Sequence, residues 1–599
     1  GHLGPFRAVS GPFRGRLGPF GAILGPFRAV SGVFGGVRGR FGGVWGRSGP
    51  FRGRLGPFGA IFGPFRAVSG VFGGVRGCFG AVWGRSGPFR GHLGPFGAIF
   101  GPFRAVSGVF GDVRGRFGGV RGRSGPFGGR WGPLGADAAP PDRLRRAGAG
   151  GHVVAAHGGR FFGVPVRHRG RALGPRELQA QFQRVLEDAG APAAGEAALG
   201  ALTAGDRAPW ARARALLAGG GSAGALGTLE AAAFVVALDA APPPAPPLDP
   251  GAGGDDDDGA PPRPLDAYAK ALLHGQGHDR WFDKSFNLVV FSDGTMGLNV
   301  EQSWGDVSAV GHLWEYVLAT DALELGYEAS GDCRGGLEPG LPPPQRLHWD
   351  IPDECQAAAA GALRAARALA ADVELHVSLA GAFGPALPRR LRCCPDALLH
   401  LGLQLAHSRD RGGLCLAYEA APGGLFAEGG TEAVGGCSAE AAAFIRAMGD
   451  PEATVGRRRA LLRAAASRQA ELRRAAMTGA GPHRHLFALA LAGQLLGLRP
   501  PFLCQALALP WGLAVGQTPL QQLGLLDPRR HPELLPAGGG FGPPADDGYG
   551  VSWAPAGDAA FVFHVCCKAS CPETDARRFA GHIRAALREL RELLEGGDG

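Results

Sequence analysis

The run Trp281-Phe-Asp-Lys-Ser-Phe-Asn-Leu-Val-Val-Phe291, with Ser292-Asp-Gly-Thr295, Gly297-Leu-Asn-Val300 and Glu301-Gln-Ser-Trp-Gly-Asp306 behind it, decides how this chain is read. Phe286–Phe291 is an apolar strand, Ser292–Thr295 a tight turn built on Asp and Gly, and Gly297–Val300 the returning strand. The spacing predicts a helix over Val307–Leu323. A strand, turn, strand and helix in succession form an α/β pattern. The eight residues Asn299–Asp306 lie where the second strand gives way to the helix.

The alternation continues on both sides. Arg160-Phe-Phe-Gly-Val-Pro-Val166 alternates like a strand, and Pro175–Glu187 has helical spacing with Pro at its start. Downstream, Cys415–Tyr418, Leu513–Thr518, Gly550–Trp553 and Phe561–Val565 read as strands between helices. Thr574–Leu594 sets Phe579, Ile583, Leu587, Leu590 and Leu594 on one helical face. The fold class is therefore α/β, neither a bundle nor a β-sandwich. Ala231–Leu238 and Leu486–Leu498 are the longest apolar candidates for a membrane span. They are too short or carry a polar break, and read as buried elements.

A chain of 599 residues allows two or more domains, or one large two-lobed enzyme. Its net charge of +10 is unevenly placed. Residues 1–134 hold nineteen Arg, no Lys and one acidic residue, Asp112, a local +18; subtracting that from +10 leaves −8 for the rest. The folded part is mildly acidic, so no nucleic-acid partner is expected for it. The segment 1–134 is a tandem repeat of 38 residues, with Leu17-Gly-Pro-Phe-Gly-Ala-Ile23 returning at Leu55 and Leu93. Its Gly-Pro and Gly-Gly breakers deny helix and long strand, so disorder is expected. Such a segment is either an Arg/Phe/Gly-rich arm for RNA or acidic surfaces, or a translated DNA repeat without selected structure; the second reading is preferred.

Residues 135–158 read as a Gly/Ala/Pro linker and 159–595 as the folded domain. A second break spans Ala241–Pro264, where Asp255–Asp258 reads as a solvated loop, since cation sites alternate ligands with spacers. The eleven Cys include no CxxC pair, and no secretory signal precedes them, so a reducing compartment is expected. Cys566, Cys567 and Cys571 lack the paired spacing of a zinc site, so no metal is expected.

The run Asn299-Val300-Glu301-Gln302-Ser303-Trp304-Gly305-Asp306 closely resembles the active-site segment of carnitine acyltransferases, above all the long-chain, outer-membrane palmitoyltransferase type. That family reads Asn-(Ala/Val)-Glu-His-(Ser/Ala)-Trp-(Ala/Gly)-Asp, and its His is the catalytic base. The resemblance extends from about Gly159 to Leu594. It includes Ala476-Met-Thr-Gly-Ala-Gly481, Arg484-His-Leu-Phe487, Gly538-Gly-Gly-Phe-Gly-Pro543 and Ala545-Asp-Asp-Gly-Tyr-Gly-Val551. It implies two similarly folded lobes of CoA-dependent acyltransferase type, each a mixed sheet flanked by helices, with the first lobe shortened upstream. It also implies acyl-CoA and carnitine as partners, with the coenzyme A thioester as substrate and no separate cofactor. By the same resemblance the location is the mitochondrial outer membrane facing the cytosol, or the cytoplasm if the chain is whole as it stands.

Carried over residue by residue, the family's base falls on Gln302 and the carboxylate that orients it on Asp306. Gln does not titrate near neutral pH and cannot act as a base. His312 belongs to a Gly-His-Leu-Trp-Glu run that the family has beside its catalytic His, so a structural role is expected for it. Tyr418, Thr431 and Arg484 match the residues that hold the carnitine carboxylate, chemistry suited to two hydroxyls and a guanidinium. Arg389, Arg390, Arg392 and Asp396 fall where the family meets coenzyme A phosphates, although Pro385 replaces one of its lysines. Met477, Gly539, Gly540 and Phe541 match the acyl and carnitine tunnel. Ala514-Val515-Gly516 replaces the family's Ser-Thr-Ser, so the oxyanion hydroxyl is lost at Gly516. Around Thr431 the family's two arginines have become Gly430 and Gly435, and its Asp before Arg484 is His483. The functional expectations are a carnitine O-acyltransferase acting on long-chain acyl-CoA, an inactive pseudoenzyme that keeps ligand binding, or a mis-assembled gene product. Catalysis ranks below the other two.

Overall fold

The computed structural model describes Arg145 and residues 151–596, apart from 240–263, 302–306, 326, 423–424, 427–430, 499, 508, 519–523, 527–530 and 532–537. The repeat 1–134, most of the linker, the Asp255–Asp258 loop, and Gln302 and Asp306 lie outside the described residues.

In chain order the strands and the longer helices are β1 (His152–His157), β2 (Arg160–Pro165), β3 (Arg167–His168), β4 (Arg171–Ala172), α1 (Pro175–Leu186), α2 (Arg207–Gly219), α3 (Ala223–Ala231), β5 (Val235–Asp239) and α4 (Pro264–Leu273). Next come β6 (Phe286–Phe291), β7 (Met296–Val300), α5 (Val307–Thr320), β8 (Gln345–Arg346), α6 (Asp353–Ala371), β9 (Val373–Ala380), α7 (Pro395–Arg411), β10 (Leu416–Pro422) and β11 (Thr431–Gly435). The last are α8 (Ala439–Gly449), α9 (Val455–Met477), α10 (His483–Leu495), β12 (Trp511–Gln517), β13 (Tyr549–Ala556), β14 (Ala560–Lys568) and α11 (Ala576–Glu595).

Two six-stranded sheets follow one plan. The first runs β7-β6-β5-β1-β2-β8 and the second β11-β10-β12-β13-β14-β9. Across each sheet the neighbouring pairs are antiparallel, parallel, parallel, antiparallel and antiparallel. Two lobes of one type, mixed sheets with helices, are therefore present. His152–His157 falls within the stretch read as linker, yet it is a central strand. Its Val-Val-Ala-Ala core is buried between β2 and β5, as suits an uncharged run in a covered sheet.

The described chain divides into two compact units. The smaller comprises residues 166–183 and 316–342. Within it Arg171 makes a forked pair with Glu177, at 2.7 Å and 2.6 Å. Gln179 donates to Asp332 at 2.6 Å and accepts from the Cys333 amide at 2.8 Å. Both sheets belong to the larger unit.

In the first lobe Trp281 explains why its segment folds as it does. Its ring meets Phe161 at 6.0 Å and Trp210 at 5.6 Å, both edge-on, inside a cluster closed by Trp349. The Trp281 amide donates to Asn287 Oδ1 at 2.9 Å, which sets the entry into β6. In the second lobe Leu513, Val515, Val551, Trp553, Phe561, Phe563 and Val565 turn to one face and pack against α7, α8, α9 and α11. The apolar face of α11 reads as expected, and Asp575 caps the helix by accepting from the Arg578 amide at 2.8 Å.

The expectation of a buried element over Leu486–Leu498 does not hold. Leu489, Leu496 and Leu498 are exposed; α10 meets the sheet along the edge strand β11 and, through His483, at Trp511. The helix expected over Val307–Leu323 ends at Thr320, with a wider turn over Asp321–Leu325.

Candidate functional site

The opposite face of the second sheet carries several of the candidate residues. Strand alternation sends Ala417, Leu513 and Val515 into the helix-covered core, so Tyr418, Ala514 and Gly516 face the other way. Register then aligns Gly516 with Ser552, and Ser552 with His564. Tyr418 meets Trp511 edge-on at 6.0 Å, and the His483 ring lies 5.8 Å from the same indole. Burial pushes the His483 imidazole below its ordinary value, against the charge of Glu432, so it is neutral at neutral pH.

Gly538–Phe541 crosses this face. Thr518 Oγ1 lies 3.0 Å from Ser552 Oγ and 3.4 Å from the Gly539 carbonyl oxygen. A Cβ at Gly540 would sit 3.3 Å from His564 Nδ1, and one at Gly516 only 2.7 Å from Phe541 Cε1. Gly here permits a close approach of backbone to side chain. Met477 lies elsewhere. It packs with Leu472, Ala421, Val434 and Ala476 on the helix-covered face, away from Tyr418.

Helix α4 ties this face to the first lobe. Ala269, with Leu265 and Leu273, packs on Leu375, Val377, Ala554, Val562 and Cys566. Its last carbonyls, at Leu272 and Leu273, accept from Asn299 Nδ2 at 3.2 Å and 2.9 Å, which satisfies helix-end acceptors. Asn299 Oδ1 also accepts from Asn287 at 3.3 Å. Asn299 thus fixes the end of β7 three residues before Gln302. After the undescribed 302–306, α5 begins at Val307. On α5 the His312 Nε2 is buried with no hydrogen-bond partner among the described residues. Burial lowers its pKa, against the charge of Glu315, and keeps the ring neutral. Glu315 accepts from the Leu525 amide at 3.1 Å.

The remaining sequence candidates are placed as follows. Thr431 stands opposite Pro422 in the β10–β11 register, and Tyr418 opposite Gly435. Next to Thr431, buried Glu432 accepts from the Arg484 amide at 3.2 Å, and its carboxylate lies 3.8 Å from Arg484 Nε. Tyr418 and Thr431 thus stand at opposite ends of the β10–β11 pairing, and Arg484 lies at the start of α10. Arg389 and Arg390 are exposed and pair with Asp558 at 3.3 Å and Glu595 at 2.9 Å. Arg392 adopts a left-handed backbone, φ 54°. Asp396, in the first turn of α7, is largely buried and lies 3.5 Å from Arg473. Burial raises its carboxyl, opposed by the Arg473 charge. Cys566 and Cys567 occupy opposite faces of β14, so the two cannot hold one ion together.

Sequence reasoning missed Ser552, His564 and the helix α4 bridge. The strand around Gly550–Trp553 held the parity of Ser552, but its neighbours come from segments distant in the chain. It also missed a buried polar group on the helix-covered face. There Glu419 pairs with Arg473 and lies 3.3 Å from His400 Nδ1.

The model of the choline/carnitine O-acyltransferase family matches residues 136–585. The chain belongs to that family. It is 46% identical over 444 residues to the liver isoform of carnitine O-palmitoyltransferase 1 of Homo sapiens, covering 74% of this chain and 56% of that protein. To the human muscle isoform it is 46% identical over 455 residues, 76% of this chain and 57% of that one. To the carnitine O-acetyltransferase of Rattus norvegicus it is 27% identical over 463 residues, 74% and 67%. The chain thus spans little more than half the length of the palmitoyltransferases it matches. Among the described residues no helix is long and apolar enough to cross a membrane.

Acyl transfer from a thioester to a hydroxyl needs a base, an oxyanion donor and in-line placement. At the positions that the resemblance assigns to the base and the oxyanion donor, the chain has Gln302 and Gly516. Loss of a general base costs about 10²–10⁴ in rate, and loss of one oxyanion donor about 10²–10³.

Proposed function

We propose that this protein binds long-chain acyl-CoA and carnitine as a carnitine O-acyltransferase does, and transfers the acyl group between them far more slowly than a family member with a complete site. The observation that carries this reading is Gln302, which stands at the base position inside an otherwise kept Asn299–Asp306 run. Gly516 supports it by removing a second catalytic group, whereas Tyr418, Thr431 and Arg484 keep the chemistry for the carnitine carboxylate. The long-chain preference follows the palmitoyltransferase resemblance, as does placement at the mitochondrial outer membrane with the site toward the cytosol.

The test is acyl transfer from palmitoyl-CoA to carnitine by the purified protein, with the Gln302→His variant alongside, and calorimetric titration of both ligands. Binding with transfer lowered by about 10² or more relative to the Gln302→His variant is the expected result. Equal and rapid turnover by both forms overturns the assignment of Gln302. Absence of binding to either ligand overturns the reading as a whole.

A further inference from the structure

The run Leu486–Leu509 contains one charged residue, Arg499, and yet it is not covered. Leu489 is 42% exposed, Leu496 71%, Leu498 58%, Phe502 68% and Leu509 50%. These residues belong to a helical hairpin. Helix α10 ends before Gly497, whose φ of 68° turns the chain, and the Leu498 amide donates back to the Gly493 carbonyl oxygen at 2.7 Å. A Cβ at Gly493 would sit 3.2 Å from the Leu498 carbonyl oxygen, so the bare glycine lets the turn close on the helix. A short helix, Pro501–Leu507, follows and rests on α10, with Leu503 buried and Phe502 outward. Leu496 and Leu498 thus flank the turn at the tip.

An apolar run of about 10–14 residues is ordinarily a buried core helix, an interfacial segment or the core of a signal peptide. Exposure excludes the first, and a place inside the folded domain excludes the third. Charge points the same way. Leu472–Leu526 holds four Arg and no Lys, Asp or Glu. Arg474 and Arg484 are exposed, whereas the acids that meet Arg473 and Arg484, Glu419 and Glu432, are buried. The solvent side of this stretch is therefore apolar and cationic, the complement of an anionic headgroup layer. Five exposed apolar side chains are few beside the roughly 20–30 residues that each partner gives a stable dimer, so a second copy of the chain fits less well.

We propose that the tip of the α10 hairpin is a contact for an anionic lipid surface, with Leu496, Leu498 and Phe502 entering the acyl boundary. At 13 residues α10 is too short to span a bilayer, so the hairpin lies in the interface. The inference goes beyond the acyltransferase reading and stands without it, since it uses neither Gln302 nor Gly516.

The test is photo-crosslinking of the full chain to vesicles of phosphatidylcholine and phosphatidylserine that carry a photoactivatable acyl chain, with the adducts mapped by mass spectrometry. Mapping separates the hairpin from the arginine-rich residues 1–134, which would bring the protein to anionic vesicles by charge alone. Adducts within residues 486–509 are the expected result. Each methylene that enters the acyl region is worth about fourfold in partition, so the double variant Leu496→Ser, Leu498→Ser lowers these adducts by about tenfold or more. Both positions are exposed, and Tm should not move; if it does, Phe502→Ser serves in their place. Leu369→Ser, at an equally exposed site on α6, leaves the adducts unchanged. Adducts absent from 486–509, or an equal fall in the Leu369→Ser protein, overturn the proposal. Equal adducts on phosphatidylcholine alone overturn the choice of an anionic surface. Self-association without vesicles that the double variant abolishes would assign the tip to a second copy and overturn the lipid contact.

Discussion

Asp266 on α4 accepts two hydrogen bonds from the edge strand β9, one from the Val377 amide at 2.8 Å and one from His376 Nδ1 at 3.1 Å. Both side chains are almost wholly buried. An edge strand leaves outward amides unpaired, and here a helix carboxylate satisfies one of them. The same helix accepts from Asn299 at its other end, so Asp266 and Asn299 together fasten the second sheet to the end of β7.

Asp266→Ala leaves the Val377 amide and the His376 ring without this acceptor, at about 1–3 kcal/mol for each buried group. The expected outcome is a clear fall in the urea midpoint with the slope unchanged. Asp266→Asn keeps an acceptor for Val377 and loses less.

Arg473 stands between buried Glu419 and half-buried Asp396. Arg473→Ala removes the cation from both and leaves Glu419 to His400 and Gln469, so the loss stays below about 3–5 kcal/mol, the cost of a fully broken buried pair. Burial alone would raise the Glu419 carboxyl, but His400, with Arg473 and Gln469, outweighs it and holds the group below its ordinary value. A depressed acid stabilises the fold above its unfolded pKa, about 4.3, and loses that contribution as pH falls through the lower folded value. Acid unfolding curves of the natural protein should show this loss, and those of Glu419→Gln should lack it.

Lys284 donates to the Glu230 carbonyl oxygen at 2.7 Å from a mostly buried position. Burial pushes its pKa down to about 8. Between that value and the unfolded one, about 10.4, the unfolded chain holds more protons, so stability rises with pH across the window. Urea midpoints of the natural protein should therefore gain on those of Lys284→Met as pH rises from about 7.5 to 10.

Gly436 follows β11, and a Cβ there would lie 1.6 Å from His400 Nε2. His400 is 1% exposed and has no room to retreat. Gly436→Ala is expected to cost at least the upper part of the usual 1–3 kcal/mol of overpacking. Soluble yield and Tm check this. His400→Ala in the same chain should recover part of the loss, and its failure to do so would place the strain elsewhere.

Much of the second lobe was legible in the sequence because its strands are apolar on both faces or alternate cleanly. Phe561–Val565 and Gly550–Trp553 fall inside the observed β14 and β13. His152–His157 was hidden, since a short uncharged run between glycines reads equally as linker until β2 and β5 are paired with it. The exposure of Leu489 and Leu496 was hidden for the opposite reason. Hydrophobicity says what prefers burial, not whether another element arrives to cover it. In the site, Met477 belongs to a run that matches the family closely, yet helix phase turns it toward Leu472 and Ala421.

Sequence by itself determined the family, the amide at position 302, the absent hydroxyl at Gly516 and the repeat, because each is a matter of residue identity in a recognisable run. Only the tertiary structure decided which residues share a face with Tyr418, that α4 joins the lobes, and that Phe541 fills the space above Gly516. Those depend on register and on loops that return from distant segments. A shift of one residue in pairing would send every side chain of a strand to the other face, and no local pattern records the approach of a ring from 25 residues away.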